Sequence, residues 1–266
     1  MKKTSFFGST VENRRMSSLR KITAYLDDIF CVKNFNDYPG AYNGLQVENT
    51  GEVKKIAAAV DACESVIHRA IQEKVSLLIV HHGLLWRGVT RWTGSTYRKM
   101  NAVISGDLAL YSIHLPLDAH PEYGNNVLLA RECGLTEYKP FLEEFGTPIG
   151  VRVQTAINRE ELLKQVERAV GGRVQLAPGG PEICRSVGVV TGGAGTQVAQ
   201  AAAEGVDTLI TGEGPHWTYS AAEEAGINLI YAGHYATETF GVKAIAQHLS
   251  KCFEVPWIFI DHPSGR

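Results

Sequence analysis

Ser76-Leu-Leu-Ile-Val-His81-His82-Gly83-Leu-Leu-Trp86 is a short run of β-forming apolar residues that stops at two adjacent histidines and a glycine. A run of this length and composition reads as a strand. Upstream, residues 55–60 read as another strand and residues 64–74 as a helix with Val66, Ile67, Ala70 and Ile71 facing inward. Strand, helix and strand in that order form the unit of an α/β fold. In such sheets, ligands and catalytic groups collect in the crevice beyond the carboxyl ends of the strands. Two imidazoles there are well placed to hold a metal, provided the rest of the chain supplies further ligands.

The alternation continues in both directions. Ser17-Ser18 can cap a helix in which Leu19, Ile22, Leu26, Ile29 and Phe30 recur at helical spacing. A loop at 36–43 containing Pro39-Gly40 leads to a short extended piece at 44–47. Beyond the twin histidines come a helix at 97–104, a strand at 108–113, the run His114-Leu-Pro-Leu-Asp118-Ala-His120-Pro121, and a helix starting at Asn125. Residues 135–146 look like a connector. Strand 149–153 follows, and Asn158-Arg-Glu-Glu161 has the form of a capping box opening a helix to Val170. Strands at 187–190, 206–211, 228–232 and 256–260 then alternate with helices at 195–204, 215–225 and 237–249. The expected fold is α/β, with a first half at 16–134, a connector at 135–148 and a second half at 149–266, preceded by a polar extension at 1–15.

The 266 residues are 44% hydrophobic and 20% charged, with a formal net charge of −2. That is ordinary globular composition, long enough for one large core or two smaller ones. The charge balance argues against a polyanion-binding surface, so nucleic acid is not an expected partner. The basic pairs Lys2-Lys3, Arg14-Arg15 and Arg20-Lys21 are explained by a solvated face. Cys31, Cys63, Cys133, Cys184 and Cys252 are scattered, odd in number and free of any Cys-x-x-Cys pair. This fits reduced thiols in the cytoplasm better than a disulfide framework or a cysteine zinc site. No apolar run approaches the roughly 20 residues that cross a bilayer. The first fifteen residues lack a signal-peptide core, and Met16 is the expected start.

The chain also repeats itself. The stretch 61–86 aligns without gaps on 192–217, so that His81-His82-Gly83 falls on Gly212-Glu213-Gly214 and Trp86 on Trp217. In a second alignment Leu110-Tyr-Ser-Ile-His114 falls on Ile230-Tyr-Ala-Gly-His234, and Asp118 on Glu238. Duplication of an α/β half follows. If the halves pack face to face, His81, His82, Asp118, His234 and Glu238 can meet in the cleft between them. Each residue also has an ordinary explanation. A His-His pair can be incidental, Glu238 can complement a helix dipole, and Asp118 can make a local turn bond. Neighbouring histidines do not easily aim both rings at one ion, so the pair suggests two ions rather than one.

These pieces resemble the Nif-three-like dinuclear metal proteins, the GTP cyclohydrolase I type 2 homologues also called the YbgI family. The resemblance rests on Asn43-Gly-Leu-Gln-Val47, Val60-Asp61-Ala62, His81-His82-Gly83, His114 to Pro121 with Gly124-Asn125-Asn126, Thr211-Gly212-Glu213 with His216, and Gly233-His234-x-x-x-Glu238. It implies that His81, His82, Asp118, His234 and Glu238 ligate two divalent ions, with Glu238 bridging. It implies the compact form of the family, a toroidal homohexamer with its metal sites facing the central cavity.

Three imidazoles and two carboxylates are compatible with Zn, Mn, Fe, Co or Ni. Such a site with open positions points to metal-assisted hydrolysis. His114, Glu213, His216 and His120 lie beside the expected ligands and are candidates to orient them or to shuttle protons. The family name implies a nucleotide substrate and opening of a purine ring at a C–N bond. The chain shows no Walker-type phosphate loop, and Thr191-Gly-Gly-Ala-Gly195 reads as a tight structural turn rather than a phosphate cradle. The rival reading is a non-catalytic regulatory or scaffold hexamer that binds a partner through its ring and its ions.

Overall fold

A computed structural model describes residues 17–86 and 91–265; the extension expected at 1–15 and the start at Met16 lie outside them. The first strand pair is small: β1 (Ser17–Ser18) lies antiparallel to β3 (Glu52–Val53), bracketing helix α1 (Leu19–Ile29) and strand β2 (Gly44–Val47). Then follow β4 (Ile56–Asp61), α2 (Glu64–Gln72), β5 (Leu77–His82), α3 (Gly94–Ser105), β6 (Ala109–Ser112), the single turn α4 (Leu115–Asp118) and α5 (Asn125–Glu132). The later part holds β7 (Tyr138–Glu144), β8 (Thr147–Asn158), α6 (Arg159–Val170), β9 (Gln175–Pro178), β10 (Ile183–Val189) and α7 (Val198–Ala203). It ends with β11 (Thr208–Thr211), α8 (Trp217–Ala225), β12 (Asn228–Tyr231), α9 (His234–Thr237), α10 (Thr239–Phe253) and β13 (Trp257–Phe259).

Two sheets organise these elements. One runs β13-β4-β5-β6-β2 and the other β7-β8-β10-β11-β12-β9. Each has three adjacent parallel strands, β4-β5-β6 and β10-β11-β12, closed on one side by an antiparallel edge, β2 or β9. The central strands are apolar on both faces, as strands covered on both sides must be; every residue from Leu77 to Val80 is fully buried.

The duplication extends to strand register. The alignment that sets Asp61 on Gly192 also sets Ile56 on Val187 and Leu77 on Thr208, and those same residues are paired across the two ladders. The second alignment shifts by one residue. Leu77 pairs with Ala109 and Thr208 with Asn228, so His114 is the counterpart of Gly233, not of His234, and Asp118 that of Thr237. Consecutive apolar residues in a fully buried strand hide a one-residue slip that the side-chain period of two would otherwise expose.

Other expectations change at the level of single elements. The stretch expected as a connector carries β7, which forms a hairpin with β8 through Phe145-Gly146. Both loop residues have positive φ, 49° and 82°, as the two-residue turn that matches strand twist requires. The Asn158 side chain accepts from the Glu160 backbone N–H at 2.9 Å, so the cap is simple and not a reciprocal box with Glu161. Ser18 makes no side-chain cap bond. Residues 194–197 form a 3₁₀ turn before the short α7.

Sheet membership does not follow a single cut in the chain. Helix α10 places Val242, Ile245, Ala246 and Leu249 in the same core as Ile56, Ala58, Leu77 and Ile79 of the first sheet, and β13 joins that sheet parallel to β4. Among the described residues no helix is long and apolar enough to cross a membrane. The five cysteines are free, with Cys133 and Cys184 buried.

The α10 contact makes a direct prediction. Ile245 is fully buried, so Ile245→Ala should cost about 2–5 kcal/mol of unfolding free energy by lost transfer energy and cavity formation. Urea unfolding should show a lower midpoint at unchanged slope; a loss below about 1 kcal/mol would mean that α10 only drapes the first sheet.

Candidate metal centre

His81 and His82 occupy the last two positions of β5 rather than the turn after it. His81 is fully buried, and its Nδ1 donates to the Ile113 carbonyl at 2.8 Å. His82 lies opposite Asp61, the last residue of β4, and its Nδ1 donates to Asp61 Oδ1 at 2.8 Å. His114 follows β6; its backbone N–H donates to Asn43 Oδ1 at 2.7 Å and its Nδ1 to Asp37 Oδ1 at 2.8 Å. His234 opens α9 from the second sheet, and its Nδ1 donates to Glu213 Oε1 at 3.0 Å. All four imidazoles therefore carry the proton on Nδ1, and the basic Nε2 is left for another partner. Metal-ligating histidines are held in this way.

Two carboxylates face those nitrogens. Glu238 Oε1 lies 3.1 Å from His234 Nε2 and 3.5 Å from His81 Nε2, while its Oε2 lies 3.5 Å from His82 Nε2. Asp118 Oδ2 lies 3.4 Å from His81 Nε2. Its other oxygen accepts from Asn125 Nδ2 at 2.8 Å and from Thr191 Oγ1 at 3.4 Å. His81 Nε2 and Glu238 Oε2 are buried without a hydrogen-bond partner. An unsatisfied buried carboxylate oxygen is expensive, and so is an unmatched ring nitrogen. A cation set among these atoms would satisfy both, so the donor set fits a metal. His81, His82 and His114 form one group able to hold an ion, and His82, His234 and Glu238 form another.

The electrostatics agree. Burial works to keep His81 neutral, yet Asp118 and Glu238 outweigh it and raise its pKa well above the usual value. The hydrogen bond to Glu238, against burial, pushes His234 up to about 9. Burial would raise Glu238, but His81 and His234 hold its carboxyl far below the ordinary range. Positive charge is what this pocket is built to receive.

Glycines clear the space. Gly192 has a φ of 69°, and a Cβ there would collide with Glu238 Oε1. A Cβ at Gly212 would meet the Gly192 carbonyl oxygen at 2.5 Å and His234 Cα at 2.6 Å. Within the glycine-rich stretch 191–195, Gly192 thus packs against the cluster, while Thr191, Gly193 and Ala194 line the cavity beside it. Gly83 is fixed from the other side: Gln46 Oε1 accepts from the backbone N–H groups of Leu84 and Leu85 at 2.7 and 2.9 Å, leaving no room for a Cβ.

His81, His82, Asp118, His234 and Glu238 come together, and His114 and Glu213 touch them. His216 does not line this cleft and instead borders a neighbouring cavity with Glu213. His120 is turned away; its Nδ1 accepts from the backbone N–H groups of Glu122 and Tyr123 at 3.1 Å and its ring stacks on Tyr123. Sequence reasoning assigns no role to Asp37, Asp61, Asn125, Asn126 or Thr191. Asn125 and Asn126 are buried polar residues whose side chains bind Asp118, and Asn126 also holds the Thr191 backbone N–H at 2.7 Å. The cluster floors a cavity of about 470 Å³ whose walls include Tyr38, Trp86, Leu115, Ile149 and Val190. That volume and mixture suit a small molecule.

The chain from 17 to 264 matches the family model Duf34/NIF3 (NGG1p interacting factor 3). A relative from Deinococcus radiodurans, named GTP cyclohydrolase 1 type 2 homolog, is 39% identical over 233 residues, covering 85% of this chain and 89% of its own. A relative of the same name from Pyrococcus abyssi is 39% identical over 248 residues, covering 92% and 98%. The solved structure of TTHA1606 from Thermus thermophilus superposes with a TM-score of 0.87 at 37% identity, covering 94% of this chain and all of the other. Likeness of this extent, in sequence and in backbone, makes the chain a member of the Duf34/NIF3 family.

Proposed function

We propose that this protein binds two divalent metal ions through His81, His82, Asp118, His234 and Glu238, and uses them to hydrolyse a small molecule held in the adjoining cavity. The observation that carries this reading is the placement of Glu238. One oxygen serves His81 and His234 and the other faces His82, so a single carboxylate spans the ligands of two positions. His114 adds a fourth imidazole beside the His81-His82 side. Divalent ions held there would polarise a substrate oxygen and acidify a water near neutral pH. Zn, Mn, Fe, Co and Ni all suit the donor set.

The chain's own residues prepare the site. Asp61, Asp37, Glu213 and the Ile113 carbonyl fix the ring orientation and tautomer of the four histidines. Asn125 and Thr191 hold Asp118 so that Oδ2 faces His81. The relatives' name supports hydrolytic opening of a purine-nucleotide ring at a C–N bond as the reaction. The Trp86 and Tyr38 rings bordering the cavity are compatible with a planar substrate. The assembly we propose is a homohexamer in the cytoplasm.

Asp118→Asn should lower the bound metal below two equivalents per chain by elemental analysis; full retention would remove Asp118 from the ligand set. Asp61→Ala leaves every ligand in place but frees His82, and should weaken metal affinity about 10- to 100-fold. Unchanged affinity in a competition titration would show that Asp61 does not orient the ring. For the chemistry, nucleotides, phosphodiesters and small amides assayed with defined metals should show metal-dependent turnover that is lost in His81→Ala. Full metal content without turnover across that panel would favour the regulatory or scaffold reading.

A further inference from the structure

A second cavity, of about 420 Å³, lies on the far side of Glu213, within the range of small-molecule sites. Its walls include Arg173 and Gln175 at the start of the edge strand β9, His216 and Tyr219 at the start of α8, and Tyr231 at the end of β12. Gln175 and Tyr231 face one another in the β9–β12 ladder, and the Tyr231 hydroxyl bonds to Thr218 Oγ1 at 2.7 Å. Tyr231 is thus a fixed ring wall. Arg173, Gln175, His216 and Tyr219 are exposed, and among the described residues their side chains have no hydrogen-bond or ion-pair partner within the protein. A guanidinium, an amide, an imidazole and a phenol, all able to donate, therefore border one cavity with their donors open to solvent and to a ligand.

We propose that this cavity binds a phosphate group, free or carried on a small molecule, and that its occupancy is felt at the metal centre through Glu213. Arg173 provides the fork that grips phosphate oxygens in pairs. Gln175, His216 and Tyr219 supply donors for the oxygens that remain, and the rest of the volume accommodates an attached group. Glu213 is common to both sites: it borders this cavity, and its Oε1 holds His234 Nδ1 at 3.0 Å. A ligand that shifts Glu213 therefore shifts His234. The coupling rests on the metal reading above, whereas the phosphate site does not.

Calorimetry on the metal-loaded full-length chain tests the binding, with inorganic phosphate and ribose 5-phosphate as probes. At least one should bind. Tighter binding of the ester assigns the site to a phosphorylated metabolite, and equal binding to the free ion. Arg173→Ala should weaken binding at least about tenfold, the loss of one bidentate charged contact, while His82→Ala should leave it unchanged. Binding of neither probe overturns the proposal. So does binding that survives Arg173→Ala; if that binding is also lost in His82→Ala, the phosphate sits on the metals. For the coupling, saturating phosphate should change the Mn(II) affinity of the wild type at least about fivefold and leave that of Arg173→Ala unaffected. A wild type that shows no difference beyond the Arg173→Ala control overturns the coupling. Metal content measured beforehand tells failure of this inference from failure of the metal reading.

Discussion

Glu238 is 3% exposed, and its carboxylate lies within 3.5 Å of nitrogens from three histidines. Taking a carboxylate out of water is costly unless compensating charge and hydrogen bonds are at hand. Much of the surrounding architecture supplies that compensation. His81 and His82 arrive from one sheet, and His234 arrives from the other. Gly192 and Gly212 are glycine because any side chain there would collide with the carboxylate or with the His234 backbone. Each imidazole is turned to present Nε2 by an acceptor on its far side.

Duplication explains how two sheets come to share one site, and the ladder register shows how far the symmetry extends. The first two parallel strands of each half match residue for residue, but the residues at their carboxyl ends do not. His81 and His82 correspond to Gly212 and Glu213, so one half supplies the proposed ligands where the other supplies space and an orienting carboxylate. Gly233, with a φ of 89°, stands where the first half has His114. The second half brings in its histidine one residue later, on the opening turn of α9. A site between two copies of a fold has been divided into unequal roles.

Much of this was legible in the chain itself. The strand leading to His81, the α/β alternation and the repeat are visible because buried parallel strands have a distinct composition and because the helices keep their apolar spacing. The family motifs brought His81, His82, Asp118, His234 and Glu238 forward as a set. The residues around them were not legible. Asp37 sits in a Pro/Gly/Asn-rich loop and looks like a solvated turn, yet its carboxylate holds His114 across 77 positions of sequence. Asp61 ends a strand as many aspartates do, and its partner becomes apparent only when β4 and β5 are in register. The β7 strand was hidden because Tyr138-Lys-Pro-Phe-Leu-Glu-Glu144 has few β-branched residues and a proline, features of an edge strand. His120 misled because sequence proximity to Asp118 says nothing about which way a turn points its ring.

Whether two ions share Glu238 decides the reading of this site. Crystals grown with zinc and measured on either side of the zinc absorption edge answer this directly. Two anomalous peaks per chain are predicted, one against His81 and Asp118 and the other against His82 and His234, with Glu238 touching both. A single peak, or peaks away from Glu238, would contradict it.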